Sequence, residues 1–320
     1  MSNQSVFHNR IIAPLKAWRA DARHCGGGIG FNRFVSSAFR GSRIGRKAEK
    51  RVSDKIYQKL YDDFRGLLLT YQNDSAVCRY DSSSPVWILW MQGYETAPVI
   101  VRKCIDSIRA ATDHPVFLVT AGNLSDYYEF PAYIKEKLEK GIITNAQFSD
   151  ILRMTLLSEY GGLWIDATIF IPNSIPEDVF ENEFFTCKRD IVGLGYVSGY
   201  RWTSFLNGCQ KGCIIQRAAK DLFFAYWKKY DYLIDYLLVD YVLLLIYENI
   251  PKAKSLIDGL PCNNPQIEEL QNRMSEVYDE EKYLKLINDS DTSFFKLSWR
   301  MEFVKEKDGW QTYFGKFLEG

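Results

Sequence analysis

Apolar positions along this chain keep changing period, and the changes mark the elements. Val86 to Met91 (VWILWM) is a short unbroken apolar run, the pattern of a strand buried on both faces. Gly93 interrupts it, and from Pro98 to about Ala111 apolar residues return at helical spacing. His114-Pro115 leads into a second apolar run, Val116 to Thr120, and Pro131 to Lys140 reads as a helix stopped by Gly141. Strand, helix, strand, helix at this spacing predicts an α/β fold with a mostly parallel sheet.

The segment from Asn145 to Pro172 continues the alternation. Phe148, Ile151, Leu152, Thr155, Leu156 and Tyr160 follow helical periodicity, and Gly161-Gly162 is expected to end that helix in a left-handed cap. Leu163 to Ile165 re-enters the sheet, Asp166-Ala167-Thr168 stands where that strand ends, and Ile169 to Ile171 resumes the apolar pattern. Ligands of open α/β sheets bind beyond the carboxyl ends of the strands, which suits Asp166 to a divalent cation or a ribose. Asp150 and Arg153 share a helical face: either both reach into one cleft, or they are a surface pair at a helix start. The most apolar stretch, Tyr232 to Ile246 (YLIDYLLVDYVLLLI), reads as one buried helix. It carries Asp235 and Asp240 and falls short of the about 20 residues a bilayer needs. Buried acids require partners, so the two either bind a ligand or sit in core ion pairs.

Composition narrows the classes. Of 320 residues, 47% are hydrophobic and 25% charged, which excludes a chain disordered throughout. Lys+Arg and Asp+Glu cancel at 40 each, so the whole chain is no nucleic-acid polycation. The cancellation hides a polarity, because residues 1–60 hold thirteen basic side chains against Asp21, Glu49 and Asp54. Such an asymmetry marks a surface for an anionic partner. Phe31, Phe34, Val35, Ala38 and Phe39 fall on one helical face, with Arg33, Arg40, Arg43, Arg46 and Lys47 around it and Gly26 to Gly28 as a flexible joint. Residues 26–51 therefore fit either an anionic membrane surface or the flank of the main domain. The first twenty residues lack an apolar signal core, and the seven cysteines show no metal-binding spacing. Cys209 and Cys213 lie one turn apart if helical but have no histidine beside them. The expectation is a protein with reduced thiols, cytoplasmic and peripheral on the inner face of the cell membrane.

SDILRMTLLSEYGGLWIDAT, with VWILWMQGYETAP ahead and FLNGCQKG, YLIDYLLVDY and FFKLSWR behind, resembles the core of the DXD-type sugar transferases. These are glycosyltransferase family 32, the large clostridial glucosylating toxins and, most of all, the capsular polysaccharide synthesis proteins. The resemblance covers roughly residues 85 to 315. It implies a GT-A fold: a Rossmann-like nucleotide-binding half over 85–172, and a helix-rich acceptor-binding half with a C-terminal lid over 173–320. Residues 1–84 would form a basic helical extension. It further implies a retaining hexosyltransferase that uses a nucleotide-diphosphate sugar, with UDP as the expected nucleotide. The acceptor would be a lipid-linked oligosaccharide of capsular or surface polysaccharide.

Position by position, the resemblance implies that Trp90 stacks on the base, where the residues alone allow a core aromatic. Ser149 and Asp150 would hold base and ribose, Arg153 the donor sugar's hydroxyls, and Trp164 would lie along the ribose-phosphate. Asp166 matches the first acid of DXD and would bridge ribose and metal, Mn²⁺ or Mg²⁺. The second acid of that motif is here Thr168, a poor ligand, and no histidine follows His114. Metal use is accordingly open, and Lys296, Ser298, Trp299 and Arg300 are expected to close over the diphosphate, or else to form an edge strand. Asn207 matches a residue facing the reacting carbon, or is a turn-former before Gly208. Asp235 or Asp240 would bind acceptor hydroxyls or act as base. Two rival readings are a non-catalytic nucleotide- or sugar-binding component of an assembly complex, and a transferase that modifies protein.

Overall fold

A computed structural model describes residues 27–39, 41–74, 76–190, 197–288 and 291–319. Two helices open it, α1 (Gly27–Ala38) and α2 (Arg43–Tyr71), the second capped by Ser42, whose hydroxyl accepts from the Gly45 N–H at 3.1 Å. There follow β1 (Val86–Leu89), α3 (Val99–Ala110), β2 (Val116–Val119), α4 (Ala132–Glu139), α5 (Asn145–Tyr160), β3 (Gly162–Ile165) and β4 (Ile169–Phe170). The second half adds β5 (Phe184–Thr186), β6 (Leu206–Cys209), α6 (Ile214–Lys229), α7 (Leu238–Asn249), the short α8 (Glu269–Arg273) and β7 (Phe295–Lys296). The α/β class and the element order expected for residues 86–171 hold, with ends shifted by a residue or two.

The central sheet has the order β2-β1-β3-β6-β5. β1 pairs in parallel with β2 and β3, whereas β6 runs antiparallel between β3 and β5. Alternate residues of each strand serve opposite faces. Trp87 and Trp164 join a core with α2, α5, α6 and α7, while Val86, Ile88, Leu163 and Ile165 pack against α3 on the other side. Burial of both faces explains why the strands read as unbroken apolar runs.

Three expectations change on contact with the fold. Gly161 does take positive φ (73°), but its ψ of −157° sends the chain straight into β3 without a left-handed turn. A Cβ there would stand 2.6 Å from the Lys211 nitrogen, and one on Gly162 would stand 2.0 Å from the Pro85 carbonyl oxygen, so both positions demand glycine. The single helix expected over 232–246 begins only at Leu238. Upstream, the Asp235 carboxylate accepts from the Leu237 N–H at 3.0 Å, and Tyr226 Oη ties down Ile234 N and Tyr232 O, a local alternative to helix. Finally, position 84/85 is a change of element type and not of packing. The buried stripe Val52, Ile56, Leu60, Phe64 and Leu68 of α2 belongs to the same core as α6 and α7.

Candidate active site

Where β1 and β3 end, the chain opens a cavity of about 680 Å³. Its wall comes from the β1 extension (Trp90 to Gln92), the start of α5, the turn after β3, the start of α7, Gln271 of α8, and the segment Lys296 to Arg300. Residues that are far apart in sequence converge because β7 pairs antiparallel with β4, which sets Lys296 opposite Ile169. That pairing hangs the C-terminal segment over the turn holding Asp166 and Thr168.

Arg153 is the hub. Its side chain is only 4% exposed, because α5 is buried nearly all round from Gln147 to Ser158. A cation so placed needs anions within reach. One guanidinium nitrogen meets Asp150 Oδ1 at 2.7 Å, another meets Asp166 Oδ1 at 3.2 Å, and the group lies 5.0 Å from the centre of the Trp164 ring. Asp166 in turn accepts from Trp164 Nε1 at 3.1 Å, and its other oxygen meets Lys296 Nζ at 3.1 Å. Lys296 also donates to Thr168 Oγ1 at 2.8 Å. Backbone bonds fix the turn itself: the Asp166 N–H donates to Phe205 O, and its carbonyl accepts from Ile169 N–H, each at 2.9 Å.

These contacts set the three carboxyls apart. Burial would raise Asp166, yet Lys296 and Arg153 outweigh it and hold the group below the usual carboxylate range. Burial prevails at Asp150, pushed up to about 6 despite Arg153. It prevails also at Asp240, pushed up to about 6, where a hydrogen bond from Trp202 Nε1 at 2.9 Å offsets only part. Arg300, at the open rim, has no carboxylate in ion-pair range among the described residues and stacks 5.0 Å over Trp299. Trp299 meets Trp90 edge to face at 5.8 Å.

Three polar atoms in this wall are buried and have no hydrogen-bond partner within the protein: Trp90 Nε1, Arg153 Nε and Gln271 Oε1. Each such atom costs about 1–3 kcal/mol if nothing satisfies it. All three belong to residues that line one cavity, which marks its wall as built for a polar ligand.

All but two of the expected site residues line this cavity: Trp90, Ser149, Asp150, Arg153, Trp164, Asp166, Thr168, Asp240, Lys296, Ser298, Trp299 and Arg300. Asn207 does not. It is wholly buried in β6, where its amide donates to the Thr203 and Ser204 carbonyls at 2.7 and 3.2 Å, so it shapes the 203–204 bend and is no turn-former before Gly208. Asp235 is likewise outside, paired with Arg33 of α1 at 2.8 Å. Trp164 lines the cavity but is completely buried beneath Arg153, so it positions Arg153 and Asp166 and offers no free face for stacking. Gln271 and Tyr236 went unforeseen: Gln271 lies in no recognisable motif, Tyr236 lies within YLIDYLLVDY without a chemical mark of its own, and only the tertiary fold brings them to the wall.

The turn suits a divalent cation poorly. Such a cation wants several anionic or carbonyl oxygens, whereas Asp166 already faces three donors and Thr168 faces the Lys296 ammonium. Among the described residues the one set of three potential metal ligands is Cys78, Glu183 and Cys213, none of which lines the cavity. Glu183 there is engaged by Lys252 at 2.8 Å and by the Cys78 thiol at 3.1 Å. Cys209 and Cys213 flank a turn between β6 and α6, not a helix. No helix among the described residues is long and apolar enough to cross a membrane. Of the amino-terminal basic stretch, residues 1–26 and Arg40 lie outside the described residues.

The family comparison agrees with the sequence resemblance. The family model of the capsular polysaccharide synthesis proteins matches residues 38–317, so it reaches past residue 85 to take in α2. The O-glycosyltransferase braB of Annulohypoxylon truncatum is 29% identical over 126 residues, covering 36% of this chain and 30% of that protein's length. Among solved structures, the PaToxG glycosyltransferase aligns over 78% of this chain and 97% of its own, with 12% identity and a TM-score of 0.37.

Proposed function

The chain belongs to the capsular polysaccharide synthesis protein family, and from that premise we propose that it is a glycosyltransferase of GT-A type. In this reading it moves a hexose from a nucleoside-diphosphate donor, UDP-linked, onto a lipid-linked oligosaccharide with retention. The observation that carries it is the cavity: cations from Arg153, Lys296 and Arg300 together with unpartnered Trp90 Nε1, Arg153 Nε and Gln271 Oε1, at the carboxyl ends of parallel strands. Its volume falls within the range of small-ligand sites.

The chemistry follows from charge placement. The bond between the anomeric carbon and the β-phosphate oxygen breaks, and its electron pair stays on the diphosphate. The acceptor hydroxyl bonds to that carbon on the same face, and its proton passes to the departing diphosphate oxygen. Lys296 and Arg300 face the charge that develops on the leaving group, the kind of fixed electrostatic stabilisation that lowers such barriers most. Arg153, locked by Asp150 and Asp166, presents its remaining N–H to donor hydroxyls. Trp90 and Trp299 frame the base, and Asp240 receives an acceptor hydroxyl. α1 exposes Phe31, and the exposed Phe39 and Ile44 follow it, among Arg43, Arg46 and Lys47. We assign that surface to an anionic membrane holding the lipid acceptor.

A thermal-shift screen of nucleotide sugars, followed by donor hydrolysis by the purified protein, tests the reading. A ligand of the native state raises its melting point by mass action. Stabilisation by one donor with slow release of nucleoside diphosphate is expected. Binding without any turnover would favour a non-catalytic component of an assembly complex, for which the loss of an acid at Thr168 is the supporting observation. Turnover onto protein only would favour the protein-modifying alternative.

A further inference from the structure

We propose that the Lys296 ammonium replaces the divalent cation as counter-ion of the donor's diphosphate, so that this transferase works without metal. The inference rests on the nucleotide-sugar reading and adds the charge chemistry of that site. Two adjacent features carry it. The first is that both oxygens a cation would use at the turn after β3 are engaged by one ammonium, with Asp166 Oδ2 at 3.1 Å and Thr168 Oγ1 at 2.8 Å. The second is that this ammonium is held there by more than chance contact. Lys296 sits in β7, its neighbour Leu297 donates to the Thr168 carbonyl at 2.8 Å, and its Nζ rests 4.9 Å from the Phe205 ring centre.

Charge accounting supports the same conclusion. Asp166 has its first oxygen on Arg153 and Trp164 and its second on Lys296, so an incoming dication would have to compete with cations or donors at both oxygens. A dication bonded to Asp166 Oδ2 would lie within a few ångströms of the ammonium, and the two would repel. The hydroxyl of Thr168 is neutral and serves well as an acceptor for an ammonium, whereas a carboxylate there would suit a metal. Thr168 and Lys296 are thus matched to each other. With about a quarter of its side chain exposed to the cavity, Lys296 keeps donors available to phosphate oxygens while Asp166 and Thr168 hold its position.

The test is calorimetric titration of the full chain with UDP, GDP, ADP and dTDP, each with a chelator and with added Mn²⁺ or Mg²⁺. Binding of one diphosphate with equal affinity under all conditions is expected. Lys296→Met should weaken it about ten- to hundredfold, as removal of a charge-assisted hydrogen bond does, and Lys296→Arg should restore most of it. Circular dichroism and thermal unfolding verify that each variant is folded. In the absence of nucleotide, Mn²⁺ added to the protein should keep the full electron paramagnetic resonance signal of the free ion. Binding that requires Mn²⁺ or Mg²⁺, or that survives Lys296→Met in a folded protein, overturns the role of Lys296 and leaves the transferase reading intact. Failure of every diphosphate to bind overturns both.

Discussion

Asp240→Asn should make this protein more stable and less active, and the size of the gain can be worked from the structure. Asp240 opens α7 at the cavity wall, accepts from Trp202 Nε1 at 2.9 Å, and has no lysine or arginine within ion-pair distance among the described residues. Burial raises its pKa from an ordinary 3.8 to about 6. The folded state therefore holds a proton that the unfolded chain has released over that window, and folding loses stability as pH rises through it. Two units at about 1.36 kcal/mol each amount to about 3 kcal/mol, absent at about pH 4 and fully felt by about pH 7. Asparagine retains an oxygen for Trp202 and carries no charge to bury. Urea unfolding should then show the variant ahead by about 3 kcal/mol at about pH 8 and level with the parent at about pH 4. Under the proposed role of Asp240 at the acceptor hydroxyl, transfer should fall as well. A variant whose stability difference is the same at both pH values, or that is weaker at pH 8, refutes the account of Asp240 as an uncompensated buried acid.

Other consequences are simpler to state. Gly162→Ala forces a Cβ to within 2.0 Å of the Pro85 oxygen at a φ of 92°, and should cost about 4 kcal/mol or more, read as insoluble expression or a collapsed melting point. Trp299→Ala removes a 40% exposed indole that packs only on the cavity rim, so nucleotide affinity should fall by the about 1–3 kcal/mol of a stacked base while the melting temperature stays put. Replacing Phe31 and Phe39 by serine should release the protein from sedimenting anionic liposomes and leave donor hydrolysis in solution unchanged. Retained liposome binding would remove the membrane assignment.

Legibility tracked locality. The strands and helices between 86 and 171 could be read because each carries its own period and its own stop, and the site residues on α5 and in the turn after β3 came with them. Segments governed by distant partners could not. Residues 232–237 have helical hydrophobicity, yet Asp235 is captured by its own backbone and by Arg33, some 200 residues away. Asn207 has the side chain of a turn or of a catalytic amide, and only its pairing opposite Trp164 in β6 shows it buried in the sheet. Gln271 carries no local mark at all. α2 looked separable because its exposed face is strongly basic, but its opposite stripe is part of the main core.

The ionic centre illustrates why a motif and its departures have to be read together with the strand that faces them. Thr168 in place of an acid suggests, along the sequence, a weakened metal site and a lost activity. Across the β4–β7 pair it faces a lysine that needs an acceptor and would be repelled by the very ion the missing acid would have held. The carboxylate that stays, Asp166, is kept ionised by Lys296 on one side and Arg153 on the other. Removing any one of the three would strand a partly buried charge, so the trio resists piecemeal loss. A protein that had lost its ligand altogether would have no reason to hold such a balance around a cavity with three unsatisfied polar atoms. The arrangement is accounted for if the charges have work to do when the diphosphate arrives.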